Sequence, residues 1–125
     1  MRIIPCIAFQ AYPINARDVL NFYKKCFGGD VIVDEQTLEF HLRINGKLVL
    51  TTINRGPGYS ELKYIGRPFS LSIECESEQE LRSYFTALSE GGEIDEPIQW
   101  SSPGRLFALI EDKFKILWEL TFKPI

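Results

Sequence analysis

Histidine is close to absent: the 125-residue chain holds one, His41. A second imidazole therefore cannot come from this chain to complete a metal centre. Cysteine is nearly as scarce. Cys6, Cys26 and Cys75 are an odd number at wide spacings, which excludes a disulfide framework and a C-x-x-C metal knot. Such cysteine use fits a reducing, cytoplasmic setting. Basic residues are not in excess, since 14 Lys+Arg stand against 17 Asp+Glu for a net charge of −3. With no basic stripe, nothing recommends a nucleic-acid partner. Apolar runs last only a few residues, too short for a helical span, so no membrane partner is expected. The opening MRIIPCIAFQ lacks a signal-peptide layout and begins with strand-like sequence. No P-loop, dinucleotide fingerprint or G-x-S-x-G occurs, and no glycine-rich loop follows a strand, which also argues against a methyltransferase.

What is present is globular: 45% of residues are apolar and 25% charged, in a length that suits one domain. The stretch 15–30, NARDVLNFYKKCFGGD, reads as an amphipathic helix with both ends marked. Asn15 is the N-cap, Asp18 favours the positive end of the dipole, and Gly28-Gly29 stops the helix. Val19, Phe22, Tyr23 and Cys26 form its apolar stripe. The design recurs from Ser77, where Glu80 completes an S-x-x-E capping box. Leu81, Tyr84, Phe85 and Leu88 match the first stripe at a constant offset, and Gly91-Gly92 closes the second helix.

Around the helices the pattern predicts strands over 3–10, 30–34, 38–45, 47–54, 69–75, 93–96, 106–110 and 115–122. Asn45-Gly46 marks a tight hairpin and Asp112-Lys113 another turn. The stretches 55–66 and 97–104 read as loops. The expected fold class is α+β: one domain over 1–125 made of two βαβββ modules, 1–54 and 67–125, joined by loop 55–66. The modules form a concave mixed sheet with one helix each on the convex face.

Strand alternation sorts the faces. Phe40, Leu42 and Ile44 oppose Glu39, His41 and Arg43; Leu71, Ile73 and Cys75 oppose Ser70, Ser72 and Glu74. Ile116, Trp118, Leu120 and Phe122 oppose Leu117, Glu119 and Thr121. The apolar faces belong against the helices. The other face mixes charges, hydroxyls and the apolar Cys6, Ala8, Val49 and Leu117, a lining better suited to a small-molecule cavity than to bare solvent.

The run NFYKKCFGGD, followed by a strand bearing His41 in FHLRINGKLVL, resembles the PhnB-like branch of the vicinal oxygen chelate superfamily. That superfamily includes glyoxalase I, bleomycin-resistance proteins and extradiol dioxygenases. Some members carry the label 3-demethylubiquinone methyltransferase-like. The closing D-P-F-G-x-x-W pattern stands here as Asp112 to Trp118, with Lys113 and Lys115 at the proline and glycine. The family's Trp-Gly is represented by Pro103-Gly104, with Trp100 nearby. The resemblance implies paired βαβββ modules, a homodimer and a ligand pocket on the concave sheet. In metal-dependent members four His or Glu ligands lie on the first, fourth, fifth and eighth strands. Those positions fall here at Cys6, Thr51, Ser70 and Glu119.

Only Glu119 is an ordinary donor in that set, because neutral hydroxyls bind divalent ions poorly. The expectation is therefore no cofactor, no metal site and no assigned catalytic residue. The ligand-binding candidates are His41, Arg43, Thr51, Ser70, Ser72, Trp100, Phe107 and Glu119. Glu119 has two readings, a cavity carboxylate or one paired with Arg43 or Arg105. Tyr59 and Tyr64 are further candidates for a pocket mouth. The reading is a cytoplasmic small-molecule-binding protein of the glyoxalase/bleomycin-resistance type. The alternatives are a metal-dependent lyase, isomerase or dioxygenase, or a polar face that serves mainly the dimer interface.

Overall fold

A computed structural model describes residues 1–10, 14–55, 69–101 and 104–124. Most of the joining loop, Tyr59, Tyr64 and Pro103 lie outside the described residues. The chain divides into two compact units, Met1–Ile65 and Gly66–Ile125. In chain order the first contains β1 (Cys6–Gln10), α1 (Ala16–Phe27), β2 (Asp30–Asp34), β3 (Glu39–Ile44) and β4 (Lys47–Arg55). The second contains β5 (Leu71–Glu74), α2 (Glu78–Ser89), β6 (Glu93–Ser101), β7 (Arg105–Glu111) and β8 (Leu117–Phe122). Both are four-stranded mixed sheets of the same order, β1-β4-β3-β2 and β5-β8-β7-β6. The first strand of each unit runs parallel to the last, and the other pairs are antiparallel. This is an α+β fold built of two βαβββ modules. No helix among the described residues is long and apolar enough to cross a membrane.

In the first unit, Asn15 Oδ1 accepts from Arg17 N at 2.9 Å and so caps α1. Val19, Leu20 and Tyr23 are fully buried against the sheet, with Phe22 nearly so; Cys26 is half-buried. The helix is also tied to β4 by polar bonds. Thr52 Oγ1 donates to Ala16 O at 2.9 Å, and Asn54 Oδ1 accepts from Ala16 N at 2.9 Å. Asn54 Nδ2 donates to Ile14 O at 3.0 Å. A buried threonine on the helix side of a sheet is tolerated because its hydroxyl has this partner. Strand β1 begins at Cys6, just after Pro5, whose carbonyl still accepts from Thr51 N at 2.9 Å. Pairing thus starts where proline no longer removes a donor.

In the second unit, Ser77 Oγ accepts from Glu80 N at 3.0 Å and Glu80 Oε1 accepts from Glu76 N at 3.1 Å. The capping box is therefore made, shifted by one residue on its return arm. Leu81 and Leu88 pack on Leu106, Ala108, Ile110, Trp118 and Leu120, all buried.

Two expectations are corrected. The stretch 97–101 is not a loop: β6 runs through Pro97 to Ser101. It is the edge strand of its sheet, and its pairing with β7 slips twice, between Ile94 and Glu96 and between Glu96 and Gln99. An edge position beside a bulge is where a sheet accepts proline. The double glycines are also not simply helix caps. Gly28 and Gly91 have positive φ (82° and 74°), as a helix end requires. Gly29 and Gly92 are spacers as well: a Cβ at Gly29 would run into the Arg43 carbonyl oxygen, and one at Gly92 into that of Glu111.

Candidate functional site

The register decides which candidates meet. In the first unit, His41 pairs with both Ile32 and Thr51, and Thr51 pairs in turn with Cys6. These four side chains form a row across the sheet on the face away from α1, because Thr52 is committed to the helix side. His41 Nε2 lies 3.4 Å from Glu39 Oε2, two residues away on the same face. Arg43 is drawn elsewhere. Beyond a bulge at Leu42/Arg43, its Nη1 donates to Gly46 O at 3.4 Å, so it braces the hairpin turn. Thr51 is buried and its hydroxyl donates to Pro5 O at 3.3 Å. Nearby, Asp34 accepts from Gln36 N and Thr37 N. The Thr37 N–H first, then that of Gln36, holds its carboxyl below the ordinary value. Ile32 and Val49 stand exposed on this face.

In the second unit the corresponding row is Ser72, Glu119 and Leu109, followed one step along by Glu74, Thr121 and Phe107. Ser72 therefore sits across from Glu119. Ser70 precedes β5 and is exposed, so the expected register for the fifth-strand position was two residues out. On this face, away from α2, lies a cavity of about 420 Å³. Ser72, Glu74, Arg105, Glu119, Thr121 and Lys123 line it, and Cys75 also touches it. Burial, with the Glu80 charge second, pushes the Cys75 thiol up to about 11, so it stays a protonated thiol at neutral pH.

Of the candidates read from sequence, Ser72 and Glu119 line this cavity, while Ser70, Trp100 and Phe107 do not. Trp100 pairs with Leu106, which is buried on the α2 side, whereas Phe107 pairs with Gln99 on the opposite face. Trp100 is 55% exposed at the sheet edge. Phe107 supports the cavity indirectly, since the Arg105 guanidinium lies 5.8 Å from its ring centroid. Glu74, Arg105, Thr121 and Lys123 were missed as site residues. Alternation sets Glu74 on the face of Ser72 and Thr121 on that of Glu119, whereas Arg105 and Lys123 lie at strand ends and join only through the register of β7 with β8.

The donors do not fit a divalent metal centre. In the first unit the paired positions Cys6 and Thr51 supply a thiol and a hydroxyl, and in the second Ser72 and Glu119 supply a hydroxyl and a carboxylate, so neither pair offers more than one ordinary donor. Among the described residues no group of three or more His, Cys, Asp or Glu is placed to hold an ion. Adding Glu74 gives the cavity two carboxylates, but Arg105 and Lys123 share its walls and oppose a cation.

The same architecture occurs in solved structures. Protein PA1353 from Pseudomonas aeruginosa superposes with a TM-score of 0.77 at 21% identity, covering 98% of each chain. A PhnB protein from Bacillus cereus gives 0.69 at 21% identity, covering 98% of this chain and 99% of that one. A glyoxalase/bleomycin resistance protein/dioxygenase family enzyme from Burkholderia phytofirmans gives 0.68 at 13% identity, covering 95% of each. No curated protein matches the chain in sequence. A family model spans both units, matching residues 1–121, and the chain belongs to the family it describes, 3-demethylubiquinone-9 3-methyltransferase, the PhnB-like proteins.

Proposed function

We propose that the protein is a cytoplasmic small-molecule-binding protein of the glyoxalase/bleomycin-resistance type, working without a tightly held metal. The observation that carries this reading is the cavity of about 420 Å³ on the sheet face away from α2. Its volume lies in the range of ligand sites, and its walls carry polar groups the core does not use. The family's description names a methyl transfer, but the strand-to-helix connections at 11–15 and 75–77 contain no glycine to admit a nucleotide cofactor. The resemblance further implies a homodimer, which the exposed Ile32 and Val49 support as a surface to be covered. Sedimentation checks that assembly.

The test combines metal analysis of protein purified without chelator or affinity tag with a chemically diverse ligand screen followed by backbone NMR. The expected result is metal well below stoichiometry, with ligand-induced shifts at Ser72, Arg105, Glu119 and Thr121 that vanish in Ser72→Trp, which fills the cavity. Near-stoichiometric metal that is lost in Glu119→Ala would overturn the reading in favour of a metal-dependent lyase, isomerase or dioxygenase.

A further inference from the structure

The charges around the cavity are sorted by sign. Ser72 pairs with Glu119 and Glu74 with Thr121, which makes Glu74 and Glu119 diagonal neighbours on adjacent strands. Leu106 pairs with Phe122. One step further along the same antiparallel register, Arg105 comes level with Lys123. Both acids thus lie toward one end of the cavity and both bases at the other. Adjacent strands ordinarily set opposite charges across from each other, because like charges there repel. Among the described residues none of the four side chains makes an ion pair or a hydrogen bond; the Arg105 carbonyl accepts from Ser101 Oγ. Arg105 is held by the Phe107 ring rather than by a carboxylate.

Such sorting sets charges of opposite sign at separate places in one cavity, where Glu74, Arg105 and Lys123 are exposed and open to a ligand. Resting on the reading of that cavity as a ligand site, we infer that its ligand is a zwitterion: an ammonium or guanidinium end against Glu74 and Glu119, and a carboxylate end against Arg105 and Lys123. The spacing limits its length. Glu74 is level with Thr121, two residues from Lys123, which is about 7 Å at the rise of a strand. An α-amino acid, whose charges flank one carbon, is too short to meet both ends. An ω-amino carboxylate with a short methylene chain spans the gap and sets its carbons between the Thr121 level and Lys123.

The experiment measures binding of ε-aminocaproate, hexylamine, hexanoate and hexanol by calorimetry, with the thermal midpoint of each variant as a folding control. The zwitterion is expected to bind about tenfold or more tightly than either singly charged probe, since each end adds a charge-assisted contact. Arg105→Gln and Lys123→Gln should reduce ε-aminocaproate to the hexylamine level and leave hexylamine unchanged. Glu74→Gln and Glu119→Gln should reduce it to the hexanoate level and leave hexanoate unchanged. Equal affinity for all four probes, or a preference for hexanol, would overturn the zwitterion while leaving the cavity a ligand site. No binding by any probe also overturns it, and the broader screen with Ser72→Trp then decides separately whether the cavity binds anything.

Discussion

The two units share one frame and differ in what they put on it. Strand order, parallel closing pair, capped helix and glycine spacer recur in both. On the face away from the helix, the first unit shows Cys6, Ile32, His41, Val49 and Thr51, and the second shows Ser72, Glu74, Glu119, Thr121 and Arg105. At equivalent places in the ladders, Thr51 stands where the second unit has Glu119, and Cys6 where it has Ser72. The frame is specified by residues facing the helix, so the other face is free to diverge. The hairpins diverge too. The first unit turns on Asn45-Gly46, both at positive φ. The second turns around Asp112, a carboxylate only 1% exposed.

Breaking Asp112 should have the largest effect. Its Oδ1 accepts from Phe114 N at 2.8 Å and Ile116 N at 3.1 Å, and its Oδ2 from Trp118 Nε1 at 2.8 Å. Asp112→Ala would strand three donors, one of them a buried indole, at an expected cost of about 3–5 kcal/mol. In the first unit Asn45→Ala only forces an alanine to φ near 53°, costing about 1 kcal/mol. Urea unfolding followed by far-UV circular dichroism reads both units and compares the two losses, while the fluorescence of Trp100 and Trp118, both in the second unit, reports that unit. Equal losses for the two substitutions would mean that Asp112 is not the clamp its bonds indicate.

Lys115 sharpens the same contrast with a gain. It holds φ at 72°, where the family pattern has glycine, and its exposed Nζ lies 3.7 Å from Oε1 of the buried Glu111. The contact is long and its lysine end is 75% exposed, so solvent screens most of it. Lys115→Gly should therefore stabilise the protein by about 0.5–1 kcal/mol, the relief of left-handed strain less the added freedom of the unfolded chain. A lower urea midpoint would show that the ion pair outweighs the strain.

Much of this frame was readable before any coordinates. The caps at Asn15 and Ser77 and the element order rest on short-range chemistry, which sequence carries directly. What failed depended on pairing. Pro97 looks like a strand breaker unless its strand is known to be an edge, and the two slips in β6 settle which residues share a face with Phe107. Reading Ser70 as the fifth-strand position fails because the start of β5 leaves no local mark. Within the cavity, Ser72 and Glu119 were legible from alternation. Arg105 and Lys123 were not, because they lie at strand ends and join the site only through the register of β7 with β8.

The smallest effect compares two cysteines. Cys6 is exposed in the first unit, and Cys75 is buried in the second with its thiol pushed up to about 11 by burial and the Glu80 charge. Under native conditions near neutral pH, a maleimide should modify Cys6 at least about tenfold faster than Cys75, because only an accessible thiolate reacts. The same shift links stability to pH. The folded state holds the Cys75 proton more tightly than the unfolded chain, whose thiol ionises near its ordinary value of 9.0. Its contribution is therefore complete below about pH 9 and fades as pH rises toward about 11. Tyr84 is raised in the same sense, by burial first, so alkaline weakening alone does not isolate the cysteine. The difference between the native protein and Cys75→Ala does. The fall in unfolding midpoint across that window should be shallower in the variant, and identical slopes, or labelling of Cys75 as fast as Cys6, would show that the thiol is not sealed in the second unit.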